Sequence, residues 1–188
     1  MAFAAILDAC VLYPFSLRDT LLRLAERELY DAHWSEAILD EMTRNLIANH
    51  VMPADSAHRI ARLMRDAFDD ATVPAEPIAR LEPSMTNHPK DRHVLAAAVV
   101  AHAEVIVTSN VRDFLAEACR PLGVEAVHPD DFLQILYAKD RTLVLDALRQ
   151  QAGDLTHPPI RPDELLDMLG KTVPVFAALI RNEITGSC

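Results

Sequence analysis

Glycine is nearly missing from this chain, with four in 188 residues. That scarcity argues against all-β architectures, which turn tightly and often. Cysteine is scarce too. Cys10, Cys119 and Cys188 are odd in number and widely spaced, which fits neither a disulfide framework nor a zinc knuckle and points to a reducing cytoplasm. No stretch reaches the roughly 20 unbroken apolar residues of a membrane span. The opening Met1-Ala2-Phe3-Ala4 carries no basic segment of the kind that begins a signal peptide, so no membrane is expected among the partners. Basic residues are outnumbered 18 to 28, for a net charge of −10. A general nucleic-acid-coating protein would be basic, although a local basic rim around an acidic site remains compatible with the total. A cationic partner segment would also suit such a surface. There is no Gly-rich phosphate loop, which removes P-loop and Rossmann readings.

What is present is apolar and periodic. Hydrophobic residues make up 51% of the chain, enough to bury a sizeable core. Short apolar runs predict strands at 4–7, 32–34, 71–73, 105–108 and 124–127. Between them, helical spacing predicts helices over 17–29, from Ser35 as cap to 48, from Pro53 with a buried stripe of Ile60, Leu63, Met64, Ala67 and Phe68, over 91–103, 114–119 and 129–138. Residues 74–89 are proline-rich and weakly patterned. After 138 only helical patterns remain, at 141–151, 163–171 and 173–184, with His157-Pro158-Pro159 as a stiff linker. Strands alternating with helices imply parallel pairing through right-handed crossovers and a doubly wound sheet, with functional residues at the carboxyl ends of the strands.

Four acids fall at corresponding places in that pattern. Asp8 ends the first strand, Glu41 lies on the helix after the second, Asp91 opens the buried helix, and Asp113 follows the 105–108 strand. A parallel sheet would gather them. Clustered carboxylates suit Mg²⁺ or Mn²⁺, hard cations that take oxygen ligands and keep several waters. Such an ion acidifies a bound water and stabilises charge on a phosphodiester, so no side-chain nucleophile is needed. Asp91 and Asp113 are expected at helix N-termini, where the dipole favours the charged form, and where an Asp more commonly serves as a cap. Arg44, Lys90, Arg92 and Arg112 flank the acids and are candidates to hold the phosphates of a substrate. They are equally good candidates for ordinary ion pairs.

Ile6-Leu7-Asp8-Ala9-Cys10-Val11-Leu12-Tyr13-Pro14, Ile38-Leu39-Asp40-Glu41, Asp91-Arg92-His93-Val94-Leu95-Ala96-Ala97-Ala98 and Val107-Thr108-Ser109-Asn110-Val111-Arg112-Asp113-Phe114 resemble, in order and spacing, the PIN-domain nucleases, and within them the VapC-type toxins of bacterial toxin–antitoxin pairs. The resemblance covers residues 1–136 and leaves 137–188 as a helical C-terminal extension. It implies a three-layer α/β/α sandwich with a central parallel sheet and metal-dependent hydrolysis of RNA phosphodiester bonds. It carries Asp8, Glu41, Asp91 and Asp113 over as the catalytic metal site. It gives Thr108 the task of orienting Asp8, sets Asn110 where many relatives have Asp, and makes Asn45 a positioning residue one turn after Glu41. It also implies an antitoxin partner and a homodimer. Cys10 departs from the pattern, standing where the family commonly has Asn or Ser, and is expected to pack as a small apolar residue.

Other chemistries are weaker. There is no His-Glu-x-x-His, although His88 and His93 flank Asp91 in a way that would suit a mixed His/Asp site. Cys10 as a nucleophile needs a low pKa, which Asp8 opposes. Two further readings stand beside the toxin: a PIN-type nuclease of RNA processing without a toxin role, and a non-catalytic partner-binding PIN domain.

Overall fold

The structure is a computed structural model that describes residues 3–156 and 159–186. The predicted His157-Pro158 linker and Cys188 lie outside the described residues. In chain order the elements are β1 (Ala4–Leu7), α1 (Ala9–Leu12), α2 (Phe15–Glu26), β2 (Asp31–Ser35), α3 (Glu36–Ala48), α4 (Ala54–Ala67), β3 (Thr72–Val73) and α5 (Ala75–Leu81). They continue with α6 (Arg92–Val100), β4 (Val105–Val107), α7 (Ala116–Cys119), β5 (Glu125–Val127), α8 (Pro129–Lys139), α9 (Arg141–Asp154), α10 (Pro162–Leu169) and α11 (Pro174–Gly186).

The strands form one parallel sheet in the order β3-β2-β1-β4-β5. Helices flank it, in keeping with the predicted α/β/α class. β1 is central and almost wholly buried, which is why it reads as an unbroken apolar run rather than an alternating one. The chain works outward from β1 to β2 and β3, then returns to lay β4 against the other side of β1. That reversal is the switch point of a doubly wound sheet, where the carboxyl ends of two adjacent strands open a crevice.

Contacts divide the chain into two compact units. One comprises residues 1–13 and 30–127 and holds the whole sheet. The other comprises 14–29 and 128–188, so α2 groups with the C-terminal helices. Within this second unit, Thr20 Oγ1 donates to Gln151 Oε1 at 2.7 Å, and Gln151 Nε2 donates to the Ser16 carbonyl at 3.0 Å. Both side chains are buried, so the α2–α9 contact has a satisfied polar centre. Arg23 bridges Asp19 and Asp154 at its edge.

Two local expectations need correction. The buried stripe of α4 is Ala57, Ala61 and Met64, while Leu63 is 53% exposed and Ala67 faces solvent. Small alanines let the helix pack closely and leave the larger leucine outside. Residues 74–89 contain the helix α5, whose Pro77 sits in the first turn, where no intrahelical N–H is lost. Prolines at 74, 77 and 83 hide its short apolar face, centred on Ile78.

Candidate active site

The site is built at the carboxyl ends of β1 and β4. Leu7 pairs with Val107, and the Asp8 N–H donates to the Val107 carbonyl at 3.1 Å. The two strands therefore deliver Asp8 and Thr108 side by side. Thr108 Oγ1, fully buried, donates to Asp8 Oδ2 at 2.7 Å. The Ala9 N–H donates to Asp8 Oδ1 at 2.7 Å, so Asp8 also caps α1. The Asn110 N–H in turn donates to Thr108 Oγ1 at 3.1 Å. Both oxygens of a carboxylate that is only 5% exposed are thus held by hydrogen bonds, as a buried charge requires.

Cys10 does more than pack. Its thiol donates to Asp8 Oδ2 at 3.1 Å, and its sulfur accepts from the Ser109 N–H at 3.2 Å. It supplies a hydrogen bond to Asp8 that a purely apolar role would have left unmade. Burial, and then the charge of Asp8, push the thiol pKa up to about 11, so it is a neutral donor and a poor nucleophile.

The other acids come from three further elements. Glu41 lies on α3, half-buried beside the packed face of Ile38, Leu39 and Met42. Asp91 closes a 3-10 turn, Pro89–Asp91, that leads into α6. Asp113 ends another, Val111–Asp113. The His88 N–H donates to the Asp113 carbonyl at 3.1 Å, which ties the two turns together and brings their carboxylates close. Asp91 occupies the N-cap position of α6, but its side chain makes no capping bond. Asp113 is not at a helix start, because α7 begins three residues later. The expectation of two helix N-termini therefore holds for Asp91 by position and fails for Asp113.

Glu41, Asp91 and Asp113 line one open cavity of about 650 Å³, together with Arg44, His88, Lys90, His93, Asn110 and Arg112. Asp8 is close enough to act on it electrostatically. Burial first, then Asp8, hold the Glu41 carboxyl above its usual range. Burial, then Asp8, then Asp113, do the same for Asp91. A cation bound in the pocket would relieve such repulsion. Of the basic candidates, Arg44, Lys90 and Arg112 line the cavity, whereas Arg92 turns to the Asn87 carbonyl at 3.5 Å. Asn45, half-buried on α3, is not among the lining residues.

The donor set, two carboxylates and an imidazole, fits a divalent cation. Ligand atoms of His88, Asp91 and Asp113 lie within 4.8 Å of one another, with His88 Nδ1 3.4 Å from Asp91 Oδ2. His93 Nδ1 is buried beside the cavity with no hydrogen-bond partner among the described residues. Sequence reasoning gave His88 little weight. Its signal was the three-residue spacing to Asp91 across a helix start, which puts both side chains on one side of the turn.

The family model for the PIN domain matches residues 4–112, which carry the sheet up to β4 and all but the last of the four acids. The chain belongs to the PIN-domain family. A second model, for the VapC50 C-terminal domain, matches residues 129–182, so the C-terminal helices have counterparts of their own. The "Putative ribonuclease VapC50" of Mycobacterium tuberculosis (strain ATCC 25618 / H37Rv) is 48% identical over 102 residues. The match spans 53% of this chain and 59% of that protein's length. No solved structure matches. No helix among the described residues is long and apolar enough to cross a membrane.

Proposed function

We propose that this PIN-domain chain is an endoribonuclease of the VapC toxin kind, dependent on Mg²⁺ or Mn²⁺, that works in the cytoplasm as a homodimer and is restrained by an antitoxin. The reading rests on one observation: Glu41, Asp91 and Asp113, from three separate elements, line a single cavity within electrostatic reach of Asp8, and its rim carries Arg44, Lys90 and Arg112. The relative named as a putative ribonuclease supports the substrate. An acidic cavity in a chain of net charge −10 supports an inhibitor that brings a cationic segment.

Asp8, Glu41, Asp91 and Asp113, with His88 beside the last two, are the groups that would hold the ion. When bound, the ion supplies a water of lowered pKa and positive charge against the phosphodiester. The chain's own contribution is positioning. Thr108, Cys10 and the Ala9 N–H hold the Asp8 carboxylate fixed in direction. Arg44, Lys90 and Arg112 would take the phosphates on either side of the cleaved bond.

The test is cleavage of single-stranded RNA with Mn²⁺. Asp8→Asn keeps the shape and most of the hydrogen bonds but removes the charge, and the rate is expected to fall by about two orders of magnitude or more while the melting temperature stays near that of the parent. RNA cleaved at an undiminished rate by the variant would sink the assignment.

A further inference from the structure

We propose that a second cavity, next to the acidic one, is a base-binding subsite for single-stranded RNA. It rests on the nuclease reading. The cavity measures about 410 Å³, within the roughly 300–1,000 Å³ of ligand pockets, and lies between the turn after β4 and the outer strand β5. Val111, Arg112, Phe114, Leu115, Arg120 and Glu125 line it.

Arg112 lines both this cavity and the acidic one. A strand whose phosphate meets the acids at Arg112 has its next nucleotide at the mouth of the second pocket. The walls there are apolar yet open. Leu115 is 60% exposed and Val111 36%, above a buried Phe114. Leu115 and Val111 thus offer apolar surface in a concave wall that a bound base would cover. Among the described residues, neither Arg112 nor Arg120 pairs with a carboxylate. Apolar walls flanked by two guanidinium groups that lack carboxylate partners suit a base with its adjoining phosphates, the guanidinium planes stacking on the base. Glu125 adds an acceptor of the kind that takes an exocyclic amine. A base reaches such a wall only when it is splayed out of its strand, which is how unpaired RNA is read.

The experiment uses the full chain and a short fluorescein-labelled oligoribonucleotide. Binding is read by anisotropy in the Asp8→Asn background without metal, and cleavage in the parent background with Mn²⁺. Leu115→Asp and, independently, Arg120→Glu are expected to weaken binding on the order of tenfold. One abasic substitution in the oligonucleotide is expected to cause the same loss, and adding Leu115→Asp to it to cause none. Circular dichroism checks each fold, and the second variant guards against a failure of the first. Unchanged binding in both variants overturns the subsite, whatever the parent's cleavage. Loss of binding in the variants beside a parent that never cleaves RNA overturns the nuclease reading and leaves the subsite standing. Variants that bind RNA normally but no longer bind a protein inhibitor would overturn the subsite in favour of a protein-docking surface.

Discussion

At the scale of single residues, the site turns on how Asp8 is held. Asp8 could be read from the sequence because it ends an apolar run, and the Thr108 contact followed from the family resemblance. The role of Cys10 could not be read, because a cysteine in an apolar segment usually packs as a small hydrophobe. Only the pairing of β1 with β4 brings Ser109 and Thr108 to its sulfur. Cys10→Ser keeps a donor to Asp8 and is expected to retain cleavage within about threefold of the parent. Cys10→Ala removes a hydrogen bond to a charged group, worth about 1 kcal/mol for a weak thiol donor, and is expected to slow cleavage about fivefold. Rates measured at saturating Mn²⁺ decide the matter. An alanine variant as fast as the parent would mean that the thiol does not position Asp8.

At the scale of elements, the helices and strands were legible wherever periodicity was strong. α5 was hidden by its prolines, and α4 buries alanines where larger residues were expected. Scarce glycine leaves its own trace. Glu28, His50 and His102 take positive φ at or just beyond the ends of α2, α3 and α6, a conformation for which glycine is the usual choice. The C-terminal helices depend on a polar contact that spacing does not reveal. Asp130, buried on α8, accepts from the Val175 and Phe176 N–H groups at 3.0 and 2.7 Å. A carboxylate borrowed from another helix thus caps the start of α11, whose first residue, Pro174, needs no partner. Asp130→Ala leaves those donors unsatisfied and is expected to lower stability by about 1–3 kcal/mol without touching the acidic cavity. Urea unfolding measures the loss. A midpoint unchanged from the parent would show the cap to be dispensable.

At the scale of the molecule, the acidic site strains the fold it belongs to. The folded state holds the carboxyls of Glu41 and Asp91 above their usual pKa, so it binds protons that the unfolded chain has already released. Their contribution to stability is therefore greatest below the ordinary carboxylate range and is lost as the pH rises through the raised values. In EDTA, Glu41→Gln is expected to melt above the parent at neutral pH, by about 2–4 °C for each kcal/mol recovered, with the difference vanishing in acid. Saturating Mn²⁺ at neutral pH is expected to raise the parent's melting temperature by about 5 °C or more, since a ligand at 100 times its Kd stabilises by about 2.7 kcal/mol. The effect should shrink in acid, where the carboxylates must lose protons to bind. A melting temperature indifferent to millimolar Mn²⁺ at every pH would count against the site.

By itself the sequence determined the α/β class, the strand positions and the places of the four acids along the chain. Each is a matter of local pattern: an apolar run short enough for a strand, a helical stripe, a carboxylate where one gives way to the other. Tertiary structure alone decided that α2 joins the C-terminal helices through Thr20 and Gln151, 131 residues apart. It also decided that His88 sides with Asp91 and Asp113, and that a second cavity opens against β5. Those arrangements depend on which surfaces are left to pack once the sheet has formed. Residue spacing carries no direct record of contacts between segments so distant in the chain.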